Sequence, residues 1–190
     1  MAANWCNKFV SNCPSCIEAY TLSGSVFSKI GNYQKARLDY ENAISLLPST
    51  LNDLDAKATA YAELGHYQKG LDEATLLIFL GNGFSLLTRS QIYCKLGKFR
   101  EAIEDSNKFL DPSVHFASSQ VYLNRGEAYL RVGLPELAIS DLTKFICCTK
   151  SIENRDSNAE AYHLRAEAYR KLGQLRLAES DEQKYKDLIN

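Results

Sequence analysis

The chain has 190 residues, 45 % hydrophobic and 24 % charged, which argues against disorder and against a fibrous protein. Its 22 basic and 23 acidic residues leave a formal net charge of -1, so nothing in the balance marks a protein that tracks nucleic-acid phosphates or anionic lipid. The longest strongly apolar stretch, Leu76 to Leu80, falls far short of the ~20 residues that span a bilayer. The N-terminus, MAANWCNKFVSNC, has no basic segment followed by an apolar run, and no Asn-x-Ser/Thr acceptor occurs. These features point to the cytoplasm or nucleus, with the six cysteines as reduced thiols. One anomaly needs a structural reason: eleven tyrosines against one Trp and one Met.

In chain order, residues 1–16 stand apart, and Trp5, Phe9 and Val10 predict a short helix or strap that caps the first of the segments beyond it. From residue 17 a pattern recurs. An aliphatic residue precedes glycine at Ile30-Gly31, Leu64-Gly65, Leu96-Gly97, Val132-Gly133 and Leu172-Gly173, with spacings of 34, 32, 36 and 40 residues. Four positions before each glycine stands an aromatic (Phe27, Tyr61, Tyr93, Tyr129, Tyr169), and seven before it a small residue (Gly24, Ala58, Ser90, Gly126, Ala166). Five positions after it comes another small residue (Ala36, Gly70, Ala102, Ala138, Ala178), and twelve after it Ala43, Leu77, Phe109, Phe145 and Tyr185.

Spacings of 3, 4, 5 and 7 are helical and place large and small residues on one stripe either side of a break. Each unit is therefore predicted to be two antiparallel helices that meet through small residues, the glycine ending the first and aromatics filling the space between neighbours. One hairpin cannot bury its own stripe. The expectation is an all-α, right-handed α-solenoid of stacked hairpins over 17–190, with repeats at about 17–50, 51–82, 83–118, 119–158 and 159–190. The longer connections fall at Asp111–Ser119 and Thr149–Ser157, the second being a polar run, TKSIENRDS, that suits an exposed turn, a helix extension or a hinge. The last segment, QLRLAESDEQKYKDLIN, predicts a polar-faced closing helix.

The first unit, AYTLSGSVFSKIGNYQKARLDYENAISLLP, carries Tyr20, Gly24, Phe27, Gly31, Tyr33, Ala36, Tyr40, Ala43 and Pro48, and on these residues it resembles the tetratricopeptide repeat family. YLNRGEAYLRVGLPELAISDL and YHLRAEAYRKLGQLRLAESDE match well; the second unit departs at Gly70, and the third at Ser106 and at an early Pro112. The resemblance implies that the first helix of each unit lines a concave groove for a protein or peptide partner. The candidate partner-binding residues are then Asp55, Thr59, Phe84, Leu87, Gln91, Asn124, Glu127, Arg131 and His163, with Thr21, Ser25, Lys29, Glu63, Lys95, Glu167 and Arg170 on the same helices. Some members of the family clamp a chaperone's C-terminal carboxylate with Lys, Asn and Arg. Here only Asn124 occupies such a place, and Leu87, Gln91, Glu160 and Leu164 stand where donors belong, which disfavours that clamp.

Cys6, Cys13 and Cys16, the last two in CPSC, have a spacing that suits shared zinc or a disulfide, but no fourth ligand lies nearby in sequence, and His66, His115 and His163 are scattered. The plainer reading has Asn12 or Cys13 capping a helix that Pro14 opens. Cys147-Cys148 is expected to be partly buried, and Cys94 to face the groove. GNGFS at Gly81 lacks the lysine of a phosphate loop, no HExxH or GxSxG occurs, and the many acidic residues beside Lys and Arg fit a solvated face. No catalytic, cofactor or metal residue is assigned. The sequence thus points to a non-enzymatic scaffold or adaptor, with a co-chaperone recognising unfolded or C-terminal segments as one alternative and a zinc or redox role of the N-terminal cysteines as another.

Overall fold

A computed structural model describes residues 2–112, 118–149 and 155–189. Among them lie eleven α-helices and no strand: α1 Ala2–Asn12, α2 Ile17–Lys29, α3 Tyr33–Ser45, α4 Leu51–Glu63, α5 Tyr67–Phe79, α6 Ser85–Lys95, α7 Phe99–Phe109, α8 Gln120–Arg131, α9 Pro135–Thr149, α10 Arg155–Lys171 and α11 Leu175–Ile189. The helix breaks fall at the five glycines singled out by the repeat. Residues 113–117, which include His115, and 150–154 lie outside the described residues, and with them most of both long connections. The end of the expected polar loop is nevertheless helical, since α10 begins at Arg155.

Each break has the same chemistry. Gly31 adopts a φ of 78°, its N–H donates to the Ser28 carbonyl at 3.1 Å, and the Asn32 N–H donates back to Phe27 at 2.8 Å. This six-to-one and five-to-two pair satisfies carbonyls that a helix end leaves orphaned, and it costs a side-chain-bearing residue the strain of the left-handed region. The six-to-one acceptor is the residue four before the glycine, so the recurrent aromatic also receives the closing bond. A sixth glycine, Gly81, does the same between α5 and α6, where Asn82 donates to Leu77 at 2.9 Å.

The chain separates into two compact units, Met1–Ile92 and Tyr93–Asn190. In the first, α2 packs on α3 and α4 on α5, α4 also lies against α2 and α3, and α1 lies on α2. Its core joins Cys6, Ile17, Phe27, Tyr40, Ala43 and Ala60. In the second, α8 pairs with α9 and α10 with α11, around Leu130, Leu142, Phe145, Ile146 and Leu164. Within residues 1–16, Ala2–Asn12 form α1, with Trp5 stacked on Phe9 at 5.0 Å between ring centres. The capping assignment there needs correction: Asn12 ends α1, Pro14 and Ser15 form a turn, and Cys16 precedes α2 without a side-chain capping bond. The true caps lie later, above all the reciprocal Thr50–Asp53 box at α4, where the Ser49 and Thr50 N–H groups hold the Asp53 carboxyl below the usual range.

The acidic residues are not all solvated. Asp39, Asp105, Asp141 and Asp181, each eight residues after its glycine, are buried, at 0, 2, 2 and 5 % exposure. Asp141 receives both Nε and an Nη of Arg125 at 2.6 and 2.9 Å, and Asp181 receives Arg165 the same way at 2.7 and 2.8 Å. In the first unit the hydroxyl of Ser23 donates to Asp39 at 2.6 Å, and Lys35 lies 3.0 Å from it. The partners Ser23, Arg125 and Arg165 sit eight residues before the glycine, so the bond ties the two helices of one hairpin. The guanidiniums also lie over the recurrent tyrosines, Arg125 5.6 Å from the Tyr129 ring and Arg165 5.9 Å from Tyr169. Those tyrosines are therefore half-buried wedges with one cationic face, whereas Phe27 at the matching place is buried.

Two predictions concern the hairpins. A Cβ at Gly70 would lie 2.9 Å from the Ala58 backbone carbonyl, which cannot turn aside, whereas at Gly126 it would meet the Leu142 side chain at 2.9 Å. Urea denaturation should show Gly70→Ala losing about 1–3 kcal/mol despite alanine's better helix propensity, and Gly126→Ala losing less; the opposite order would refute the assignment. Arg165→Met, leaving Asp181 buried and unpaired, should cost about 3–5 kcal/mol, and adding Asp181→Leu should recover most of it.

Candidate partner-binding surface

The first helices α2 and α4 line an open cleft of about 440 Å³, together with Asn82 and Phe84 just before α6. Ala56 contributes a small side chain, and Leu22 and Phe84 stand as apolar walls, 51 and 48 % exposed. The polar lining is Glu18, Thr21 and Ser25 from α2, Asn52, Asp55 and Thr59 from α4, and Asn82 before α6. Several of these are already engaged. The Thr59 hydroxyl donates to the Asp55 carbonyl at 3.1 Å and that of Thr21 to Ile17 at 3.0 Å, each the residue one turn back, while Asn82 accepts from the Phe84 N–H at 3.2 Å. Asp55 accepts from the hydroxyls of Ser85 and Thr88 at 2.7 and 3.0 Å, which braces α4 to α6.

Of the residues expected to bind a partner, the structure thus brings together Asp55, Thr59 and Phe84, with Thr21 and Ser25. Leu87 and Gln91 are half-buried on α6. Glu63 turns away into a second cleft of about 560 Å³, with Tyr33, Arg37, Tyr40 and His66. Burial and then the charge of Glu63 push the Tyr40 hydroxyl above its ordinary range.

In the second unit, Asn124 is buried and its side-chain oxygen accepts from Gln120 at 3.2 Å. Glu127 and Arg131 lie one turn apart at 4.0 Å, Arg131 reaches Glu167 of α10 at 3.3 Å, and Lys171 reaches the same carboxylate at 3.6 Å. His163 lies against the Tyr185 ring at 5.0 Å, and Arg170 pairs with Glu182 of α11 at 2.6 Å. Lys29 and Lys95 stand at the ends of α2 and α6.

The thiols divide by exposure. Cys6 is fully buried in the first core, Cys13, Cys147 and Cys148 are exposed, and Cys16 is intermediate. The exposure of the vicinal pair corrects the expectation of partial burial, because Thr149 and Phe145, rather than the cysteines, turn inward at the end of α9. Cys94 packs rather than facing open solvent: its Sγ donates to the Asn124 carbonyl at 3.7 Å, and burial, then Glu127, push the thiol up to about 12. Among the described residues, no three His, Cys, Asp or Glu side chains converge as a metal site, and no helix is long and apolar enough to cross a membrane.

Comparison with known proteins agrees with the hairpins. Family models described as tetratricopeptide repeat match residues 17–50, the α2–α3 hairpin, and residues 147–180, through α10 into α11. The two matched segments are tetratricopeptide repeats. Its fold is similar to the solved Cut9-Hcn1 hetero-tetramer of APC/C, with a TM-score of 0.74 at 16 % identity over 98 % of this chain and 36 % of that one. YrrB, described as a TPR protein with an unusual peptide-binding site, gives 0.58 at 15 % identity over 98 and 93 %. MamA gives 0.59 at 16 % over 87 and 93 %. In sequence, 84 residues are 33 % identical to a 58 kDa phosphoprotein of Plasmodium berghei, covering 44 % of this chain and only 18 % of that relative. A tetratricopeptide fold generally serves protein–protein contact.

Sequence reasoning missed two features of these repeats, the connecting Gly81 and the cross-hairpin aspartates. The latter had a legible signal, since Arg125–Asp141 and Arg165–Asp181 are both separated by sixteen residues centred on the glycine. The thiol environments are testable. Alkylation at pH 8 followed by mass spectrometry should modify Cys13, Cys147 and Cys148 first and leave Cys6 and Cys94 until the fold opens; early modification of Cys94 would refute its packing.

Proposed function

We propose that this chain is a non-enzymatic interaction module that seats a peptide segment of a protein partner in the α2/α4 cleft of its first unit. The single observation that carries this reading is the open cleft itself, where Leu22 and Phe84 present apolar surface beside Glu18 and Asn52. Apolar walls supply affinity, and a few polar groups fix the direction of a bound segment. The repeat family supports the class of function, and the fold likeness to YrrB supports a peptide as the ligand. The Glu127, Arg131 and Glu167 row on α8 and α10 is proposed as a separate contact face of the second unit.

Peptides selected from a random displayed library against the intact chain should bind with affinities that fall about tenfold or more in Leu22→Glu and in Phe84→Ala, which is ~1.4 kcal/mol or more. Leu137→Glu, at an exposed position of α9, should bind as the unaltered chain does. Fluorescence anisotropy reads all three. Equal binding by both cleft variants and the unaltered chain would remove the cleft as the seat.

A further inference from the structure

Asp55 differs from the inward aspartates of the hairpins. Asp39, Asp141 and Asp181 each have a cation of their own chain within 3.0, 2.6 and 2.7 Å. Asp55 is half-buried, yet its two oxygens receive only the hydroxyls of Ser85 and Thr88, and it forms no ion pair among the described residues. The same cleft holds Glu18, exposed and likewise outside any ion pair, and among the described residues no Lys, Arg or His lines it. Two carboxylates thus share an apolar-walled cleft with no positively charged side chain among its described lining residues.

We infer that the α2/α4 cleft takes an arginine side chain of the partner segment, the guanidinium on Asp55 and its stem between Leu22 and Phe84. This rests on the proposed peptide-binding function and specifies its chemistry. The two hydroxyls fix the orientation of the Asp55 carboxylate without neutralising it, and each of its oxygens keeps a lone pair for a further donor. A charge-assisted, two-pronged bond from a planar guanidinium fits that geometry better than the point charge of a lysine. The Phe84 ring and the Leu22 side chain suit the flat cation and its methylene stem. The chain already builds the same arrangement inside itself, where Arg125 forks onto Asp141 and covers the Tyr129 ring. The volume of about 440 Å³ leaves room for a neighbouring residue of the segment.

The experiment uses the intact chain and random twelve-residue displayed peptides, the strongest binder being remade with citrulline, which keeps the shape of arginine and loses its charge. The selected peptides should share an arginine. Citrulline should weaken binding at least tenfold by calorimetry, and Asp55→Asn should weaken the arginine peptide to a similar degree while changing the citrulline peptide less than twofold. Asp55 also braces Ser85 and Thr88, so circular dichroism checks that variant. Should it unfold, the citrulline comparison on the unaltered chain and a loss of about threefold in Glu18→Gln decide the matter. Peptides that lose binding in Leu22→Glu but tolerate citrulline, or contain no arginine, would overturn this inference and leave the peptide-binding function standing. Selection of no binding peptide, or binding indifferent to Leu22→Glu and Phe84→Ala, would overturn both.

Discussion

The hairpins depend on two helices approaching until there is no room for one more carbon. At Gly24 an added Cβ would lie 2.7 Å from the Tyr40 ring, and at Gly70 it would lie 2.9 Å from a backbone carbonyl. Ala58, Ala138 and Ala178 at the equivalent places are buried to within about 1 %. Close approach is what allows hairpins of 11 to 17 residues per helix to bury apolar surface with few large side chains. It also explains why the second repeat departs from the usual alanine at Gly70, where the facing α4 backbone leaves space for hydrogen alone.

The same closeness dictates where charge can be placed. A carboxylate that projects across a hairpin leaves water, and it is tolerated because a cation or hydroxyl from the opposing helix meets it, as Arg125 meets Asp141 and Ser23 meets Asp39. A guanidinium in turn shields one face of a tyrosine. The abundance of tyrosine follows from this arrangement: the ring fills space like any aromatic while its outer face accepts a cation and its hydroxyl stays near water. Asp55 stands outside the pattern. It belongs to a first helix, lines the cleft, and is met by the hydroxyls of Ser85 and Thr88 on α6 rather than by a group of its own hairpin.

Much of the fold was legible because helical periodicity and the glycine break are local properties. The five predicted glycines end five helices, and Gly24, Gly70 and Gly126, among the small residues seven before and five after them, lie at close approaches. The candidate site was legible only in part. Asp55, Thr59 and Phe84 line one cleft, yet Glu63, one turn beyond Thr59 at the end of α4, lines another with Ser28 and Tyr40. Asn124, read from the sequence as a groove residue, is buried beside Gln120 and the Cys94 thiol. At the N-terminus, CPSC is an ordinary turn between α1 and α2. Cys6, which belongs to no motif, is the cysteine that enters the core.

By itself the sequence determined that the chain is helical and that helices end at the five repeat glycines, because both follow from spacing within a single stretch of chain. The tertiary structure decided which polar side chains are consumed by the fold and which remain for a partner. That choice depends on distances between residues 16 to 33 positions apart, such as Arg125 to Asp141 and Asp55 to Thr88, and no local pattern states whether a carboxylate at such a place will meet a cation, a hydroxyl or an open cleft.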